Sequence, residues 1–259
     1  MHHSIPKQPD CVAAWRQAVR LVEGQPHHEA HNVMIDIADP LARATLSDPV
    51  VAEVDAFLRS RDVKPIETVA NTIFPYSLYR RYGAPAFFDR FSKNVLPKAR
   101  RPGDRWSGYY FERMINMPRV GGGEPINQLI DITRRLKSPT IVARNKFELS
   151  IFDPARDVDD SPYGGQCLSH GSFKLRKDGA HERLDLTVMY RNHYYIEKLL
   201  GNLIGLGRLM EFAAAEGGIT VGELTIISTH AIVDLPGKSP NRSTRKDVAD
   251  LLARCDALG

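Results

Sequence analysis

The hydrophobic period of this chain changes twice within its second half, from that of a strand to that of a helix and back. Apolar and polar residues alternate over residues 184–191, which predicts a strand with Arg191 at its exit. Apolar residues then recur at helical spacing over residues 195–216, and Gly217-Gly218 marks the expected end of the helix. Residues 223–233 predict another strand. The pattern therefore predicts a strand, a helix and a second strand in succession.

Chemically useful side chains lie at or near the ends of these elements. Cys167 follows a turn-rich segment and precedes a predicted strand. A polar turn at residues 177–179 predicts a hairpin, which would bring Arg191 close to Cys167. Asn202 interrupts the apolar character of the helix, and His230 lies on the last strand. A thiol, a guanidinium, an amide and an imidazole are thus candidates for one site.

Each candidate also has an ordinary structural interpretation. An isolated cysteine is usually a small buried hydrophobic residue, and an arginine at a strand end is most often a surface charge or an ion-pair partner. An amide on an apolar helix face can belong to a buried hydrogen-bond network, and a histidine on a strand can be a satisfied core residue. The combined pattern, rather than any one residue, favours a functional site.

The order and spacing of these residues resemble those of the thymidylate synthase family. The matching positions, in chain order, are Cys167 before a strand, Tyr190-Arg191-Asn192, Asn202, and Ser228-Thr229-His230. Upstream, residues 108–113 resemble the family's tyrosine-and-arginine segment, and residues 65–71 resemble its glutamate-bearing helix. The resemblance extends from about residue 13 to residue 234 and indicates a divergent member of the family.

The resemblance implies an α+β fold in which a large mixed β-sheet packs against helices and one sheet face forms a homodimer interface. Residues 1–259 would form one domain. The implied reaction transfers a one-carbon unit from 5,10-methylenetetrahydrofolate to C5 of a pyrimidine nucleotide similar to dUMP. The product would be methylated or hydroxymethylated. The match does not identify the residues that would bind the folate.

The resemblance assigns the chemistry to four side chains. Cys167, as a thiolate, would add to C6 of the base and make C5 nucleophilic. Asn202 would accept a hydrogen bond from N3–H and donate one to O4, which favours uracil over cytosine. Glu67 would shuttle a proton at O4 through water, and Tyr110, with Tyr109 as the alternative, would help remove the C5 proton. Both residues have an equally good structural interpretation. Glu67 can be an acidic residue in the first turn of a helix, and Tyr110 can be an ordinary aromatic residue of the core.

The resemblance also assigns the substrate-binding residues, which are Arg191, Asn192, Asn202 and His230. The planar guanidinium of Arg191 would bind the 5′-phosphate, and its charge would lower the pKa of the Cys167 thiol. His230 would bind a sugar hydroxyl. One arginine would therefore serve both substrate binding and activation of the nucleophile.

The chain departs from the family pattern at several positions. Ser138-Pro139-Thr140 stands where the family has a paired arginine that reaches the phosphate bound by the other subunit. Tyr194, Leu168 and Ile232 replace a folate-contacting aspartate, the histidine after the nucleophile and a tyrosine near the sugar. The nearby arginines that could compensate are Arg134, Arg135 and Arg144.

The family's apolar C-terminal tail is also replaced, here by an amphipathic helix predicted over residues 243–257. Loss of a lid that excludes water would favour attack of water on the methylene intermediate, giving 5-hydroxymethylation. The same departures motivate an alternative function from another class. In that alternative the chain binds nucleotides as a sensor or assembly protein and has lost its folate chemistry.

Composition argues against several other classes. The formal charge is +4 and the basic residues are scattered, so nucleic acid is not the expected partner. The sequence contains no run of about 18 apolar residues, so no membrane span is predicted. The N-terminus lacks the apolar stretch of a signal peptide, and a cytoplasmic location is therefore expected. The three cysteines include no CxxC pair, so neither disulfides nor a metal site is expected. Residues 27–31 are expected to form a solvated polar turn.

Overall fold

The computed structural model describes residues 2–99, 108–141, 145–158, 165–179 and 181–259. Within this part of the chain, seven strands form one mixed sheet in the order β1-β2-β7-β5-β4-β3, with β6 paired to β7. The strands are β1 (His3–Ser4), β2 (Glu29–Ile37), β3 (Phe147–Ser150), β4 (Leu168–Asp178), β5 (His181–Tyr190), β6 (His193–Tyr194) and β7 (Thr220–Ile232).

The helices are α1 (Cys11–Glu23), α2 (Pro49–Ser60), α3 (Ile66–Ile73), α4 (Tyr76–Tyr82), α5 (Ala86–Arg90), α6 (Leu96–Ala99), α7 (Tyr110–Ile115), α8 (Gln128–Lys137), α9 (Pro154–Asp157), α10 (Leu200–Gly217) and α11 (Arg245–Ala257). A 3-10 turn covers Pro26–His28, and π-helical turns cover Phe91–Val95 and Tyr195–Leu199. The mixture of a large sheet with packed helices agrees with the predicted α+β class.

The strand pairings around β5 bring three chain segments together at one end of the neighbouring strands β4, β5 and β7. β4 and β5 form the predicted antiparallel hairpin, in which Leu168 lies opposite Tyr190. β5 and β7 run parallel, with Tyr190 opposite Ser228. Parallel neighbours need a crossover connection, and α10 lies within it. The residue before β4, the end of β5 and the middle of β7 therefore meet.

α10 is buried on most sides, which explains why its sequence is apolar around most of its circumference. Two glycines allow it to approach α3 closely. A Cβ added at Gly201 would lie 2.7 Å from the Cβ of Val69, and one added at Gly205 would lie 2.7 Å from the carbonyl oxygen of Ala70. Any larger side chain at either position would push the two helices apart.

The two faces of the sheet differ in character. On β5, Leu184, Leu186 and Val188 are buried in the core, as the alternating pattern predicts. Between them, Thr187 and Met189 are exposed. This outer face is the one for which the family resemblance implies a homodimer interface, and that role stays a prediction.

Two sequence expectations need correction. Glu29, Ala30 and His31 belong to β2, whereas a polar turn was expected through residue 31, and the turn ends at His28. The strand forms because β2 pairs along its length with β7, a contact between distant parts of the chain. The C-terminal helix begins at Arg245 rather than at residue 243, because the side chain of Thr244 caps it in a capping box.

Among the described residues, none of the helices has the length and apolar character needed to cross a bilayer.

Candidate active site

A cavity of about 300 Å³ opens where β4, β5, β6 and α10 converge. Its wall combines residues from the ends of these elements with residues of α3 and of the segment before α7. The lining residues are Lys64, Val69, Thr72, Gly108, Tyr109, Tyr110, Gly165, Gln166, Cys167, Tyr190, Asn192, His193, Tyr194, Lys198 and Asn202. Four of the predicted site residues, which come from separate segments of the sequence, therefore share one cavity. They are Tyr110, Cys167, Asn192 and Asn202.

The β4–β5 hairpin fixes Cys167 next to Arg191. The backbone N–H of Arg191 donates to the carbonyl of Cys167 at 2.8 Å, and its Nε donates to the carbonyl of Gln166 at 3.1 Å. Burial raises the pKa of the Cys167 thiol, while the charges of Arg191 and Lys198 act in the opposite direction. The resting thiol is therefore protonated at neutral pH, and two cations are placed to stabilise its thiolate.

Tyr110 begins α7 and places its phenol beside Cys167. Burial raises the pKa of Tyr110, and Cys167 adds to this effect, while the backbone of Leu168 and the charge of Arg191 oppose it. The rings of Tyr110 and Tyr190 meet edge to face at 6.4 Å. Tyr110 is therefore a neutral hydroxyl within the cavity.

Two contacts hold α7 and the residue Gly108 before it against α9 and Gln166, which precede β4 in the chain. Arg113 and Asp157 form a buried two-bond ion pair, with distances of 2.7 and 3.2 Å. The Nε2 of Gln166 donates to the carbonyl of Gly108 at 2.9 Å. The relative position of thiol and phenol is consequently set by side chains on both sides of the cavity.

Asn202 points from α10 toward β6, where it contacts a histidine. Its Nδ2 lies 2.9 Å from Nε2 of His193. The other ring nitrogen, Nδ1, lies 3.1 Å from Oγ of Ser228, which also accepts a hydrogen bond from the Tyr195 hydroxyl at 3.2 Å. The imidazole stacks on Tyr190 with 4.0 Å between ring centroids. Asn202 is thus part of a buried polar network that also borders the cavity.

His193 is uncharged in this network. The residue is 1% exposed, and burial lowers its pKa to about 3. The sequence interpretation missed His193, although it lies directly after the matched Asn192. It also missed Lys64 and Lys198, for which the sequence offers no distinguishing pattern.

Two polar groups on the cavity wall are buried without a hydrogen-bond partner among the described residues. They are the hydroxyl of Tyr190 and Oδ1 of Asn192. Buried polar atoms in native proteins are nearly always hydrogen-bonded. The cavity wall therefore includes two residues that each carry an unsatisfied buried polar atom.

Glu67 and His230 are not among the described residues that line this cavity. Both oxygens of the Glu67 carboxylate accept hydrogen bonds from Arg208, at 2.9 and 2.8 Å. His230 lies 3.1 Å from Glu29 and stacks on His31 on the neighbouring strand. The roles assigned to Glu67 and His230 stay predictions.

Two of the three arginines that could replace the missing phosphate-binding pair form ion pairs elsewhere. Arg134 and Arg135 both form ion pairs with Asp131 on α8. Arg144 lies outside the described residues. Within the described residues, no group of three or more histidine, cysteine or acidic side chains is arranged to hold a metal ion.

Comparison with known proteins gives a distant relation. A protein named "Putative thymidylate synthase" from Methanothermobacter thermautotrophicus is 34% identical over 108 residues, which is 41% of this chain and 44% of that protein. This chain is similar to thymidylate synthase-like proteins. Proteins of the same name from Methanococcoides burtonii and Methanosarcina mazei are 34% identical over 74 residues and 29% identical over 109 residues.

These alignments are partial. The second covers 29% of this chain and 30% of the relative, and the third covers 42% and 46%. The chain thus spans less than half the length of the curated relatives it matches. No protein-family model matches it. The family resemblance read from the sequence is therefore supported as a distant relation.

Proposed function

We propose that this chain transfers a one-carbon unit to C5 of a uracil nucleotide similar to dUMP, through a covalent bond between Cys167 and C6 of the base. The observation that carries the proposal is the convergence of a thiol, a phenol and an amide on one cavity. The distant relation to thymidylate synthase-like proteins supports the same reaction.

Addition of Cys167 to C6 requires the thiolate, and the site holds the means to form it. Burial keeps the thiol protonated, but Arg191 and Lys198 favour the anion. The thiolate attacks C6, and charge moves through the ring to O4. The amide of Asn202 would stabilise that charge by a hydrogen bond to O4. The C5 carbon then acts as the nucleophile toward the one-carbon unit.

After the carbon unit is attached, the proton on C5 must leave. Tyr110 is the group beside Cys167 that can take part, because its neutral hydroxyl can accept and donate hydrogen bonds and so relay the C5 proton to water. For Glu67 to serve O4 through water, it must do so from its ion pair with Arg208. For His230 to bind the sugar, its contact with Glu29 must open.

The implied carbon donor, 5,10-methylenetetrahydrofolate, would supply the methylene group and, for methylation, a hydride. A second cavity of about 340 Å³ adjoins the first, and Thr72 and Tyr109 line both. Its wall includes Leu78 and Phe91, together with Asn71, whose Oδ1 is buried without a partner among the described residues. An apolar wall with one orphaned acceptor fits a flat heteroaromatic group that carries N–H donors.

Access of water to the methylene intermediate decides between the two products, because attack by water gives the hydroxymethyl group and hydride transfer gives the methyl group. α11 packs on α2, where Arg254 contacts Glu53 at 2.6 Å. It contributes no described residue to the wall of either cavity. A cavity that admits water to the intermediate would favour the hydroxymethyl product.

The decisive experiment is tritium release from C5-labelled dUMP, UMP, dCMP and CMP, with and without methylenetetrahydrofolate. Folate-dependent release from dUMP that disappears in Cys167→Ala supports the proposal. Cys255→Ala is the matched control, since Cys255 is buried on α11 away from the cavity. The mass of the product then distinguishes a methyl from a hydroxymethyl group. Absence of release from all four nucleotides refutes the proposal.

A second candidate is a nucleotide-binding sensor or assembly protein without folate chemistry. The ion pair that holds Glu67 against Arg208 favours it, because it occupies a carboxylate that the reaction would use. Calorimetric binding of dUMP without any tritium release or product would support this candidate. Folate-dependent turnover would exclude it.

A further inference from the structure

The orientation of the Asn202 amide decides which base the cavity can recognise. Uracil presents an N3–H donor next to the O4 acceptor, whereas cytosine presents an N3 acceptor next to the N4 amino donor. A carboxamide offers one acceptor and one donor, so it complements one base in one orientation and the other base after a 180° rotation. Specificity therefore requires something that prevents the rotation.

His193 is the group in contact with that amide. Its Nε2 lies 2.9 Å from Nδ2 of Asn202. An imidazole nitrogen facing an N–H donor must be unprotonated, so the single ring proton is on Nδ1. That nitrogen faces Oγ of Ser228 at 3.1 Å, which can accept from it. The Ser228 hydroxyl, which can accept as well as donate, is compatible with the tautomer that the Asn202 contact requires.

The ring is also held in place. It stacks on Tyr190 with an interplanar angle of 12° and meets the edge of Tyr195 at 89°. It is buried and does not become charged near neutral pH. Nε2 of His193 is thus a fixed acceptor aimed at Asn202. Rotation of the amide would turn its oxygen toward that lone pair, which removes a buried hydrogen bond and opposes two acceptors.

We propose that His193 is a positioning residue that fixes the Asn202 carboxamide and thereby makes the cavity select uracil over cytosine nucleotides. This inference rests on the proposed function, because it presumes that Asn202 contacts the base. It adds a positioning residue and its tautomer, which the family resemblance does not assign, to the uracil preference that the resemblance attributes to Asn202. Ser228 acts one step further away, by holding the proton on Nδ1.

The test is the ratio of dissociation constants for dCMP and dUMP, measured by isothermal titration calorimetry on folded proteins. His193→Phe keeps a ring for stacking on Tyr190 and removes the acceptor. We expect the ratio to fall by about tenfold or more, because mispaired buried polar groups are what reject the wrong base. His181→Phe is the matched control, since His181 is exposed at the start of β5. A structural role alone would weaken both nucleotides equally.

The outcomes separate the inference from the proposed function. An unchanged ratio in folded His193→Phe overturns the inference, as does a preference of the wild-type protein for dCMP. If His193→Phe does not fold, Ser228→Ala keeps the ring but frees its tautomer, and an unchanged ratio there overturns the inference equally. Failure of the wild-type protein to bind either nucleotide instead refutes the proposed function.

Discussion

The ion pair between Arg113 and Asp157 joins α7, which carries Tyr110, to α9, which precedes Cys167 in the chain, and its removal is the sharpest test of how these elements are held together. The side chains are 4% and 1% exposed, and two hydrogen bonds of 2.7 and 3.2 Å link them. Asp157→Asn keeps the shape and an acceptor for the backbone N–H of Asp153, which lies 2.8 Å away. It removes a buried negative charge that lies 2.7 Å from the guanidinium.

Breaking a buried pair by removing one charge costs about 3–5 kcal/mol. We therefore expect Asp157→Asn to lower the free energy of unfolding by roughly 3 kcal/mol. The value is at the low end of that range because the asparagine oxygen can still accept a hydrogen bond from the backbone N–H of Asp153. Urea unfolding followed by circular dichroism measures this. The matched control is Asp178→Asn, in an exposed pair with Arg183 at 2.6 Å, for which a loss below about 1 kcal/mol is expected. Equal losses in the two variants would refute the reasoning.

Three further predictions concern packing, the pH dependence of stability and thiol reactivity. Gly205→Ala would place a Cβ 2.7 Å from the carbonyl oxygen of Ala70, and we expect a loss of about 1–3 kcal/mol in urea unfolding. Burial raises the pKa of Asp234 to about 6, above its unfolded value. Its contribution to stability is therefore present at pH 4 and lost as the pH rises through 6, and Asp234→Asn should lack that component of the pH dependence of the urea midpoint. Alkylation of Cys167 by iodoacetamide should become slower at fixed pH in Arg191→Leu, because loss of the cation raises the thiol pKa further. An unchanged alkylation rate would contradict that electrostatic account.

The elements that the sequence predicted well are those whose signal is local. The alternation on β5 and the helical period of α10 each lie within one segment, and tertiary packing reinforces both. β2 was not predicted over residues 29–31 because its polar first residues become a strand only by pairing with β7, near the other end of the chain.

The candidate site shows the same limit. The hairpin made the proximity of Cys167 and Arg191 predictable, since a turn of few residues fixes the register. The partner of Glu67 was not predictable, because Arg208 lies 141 residues away in the sequence. His193 was hidden for a different reason. A histidine among aromatic residues is interpreted from sequence as an ordinary core residue, and only the contacts of its two ring nitrogens show another role.

The close contact between α3 and α10 has a consequence for how a ligand would be admitted. Gly201 and Gly205 let the two helices interlock, so that Val69 and Thr72 on one helix and Asn202 on the other belong to a single rigid unit. This side of the cavity cannot widen by sliding one helix along the other without steric overlap. Its width is therefore set when the protein folds, and binding there spends little free energy on reorganisation. A base too large for this width would be excluded by steric overlap with the wall, whatever hydrogen bonds it could form.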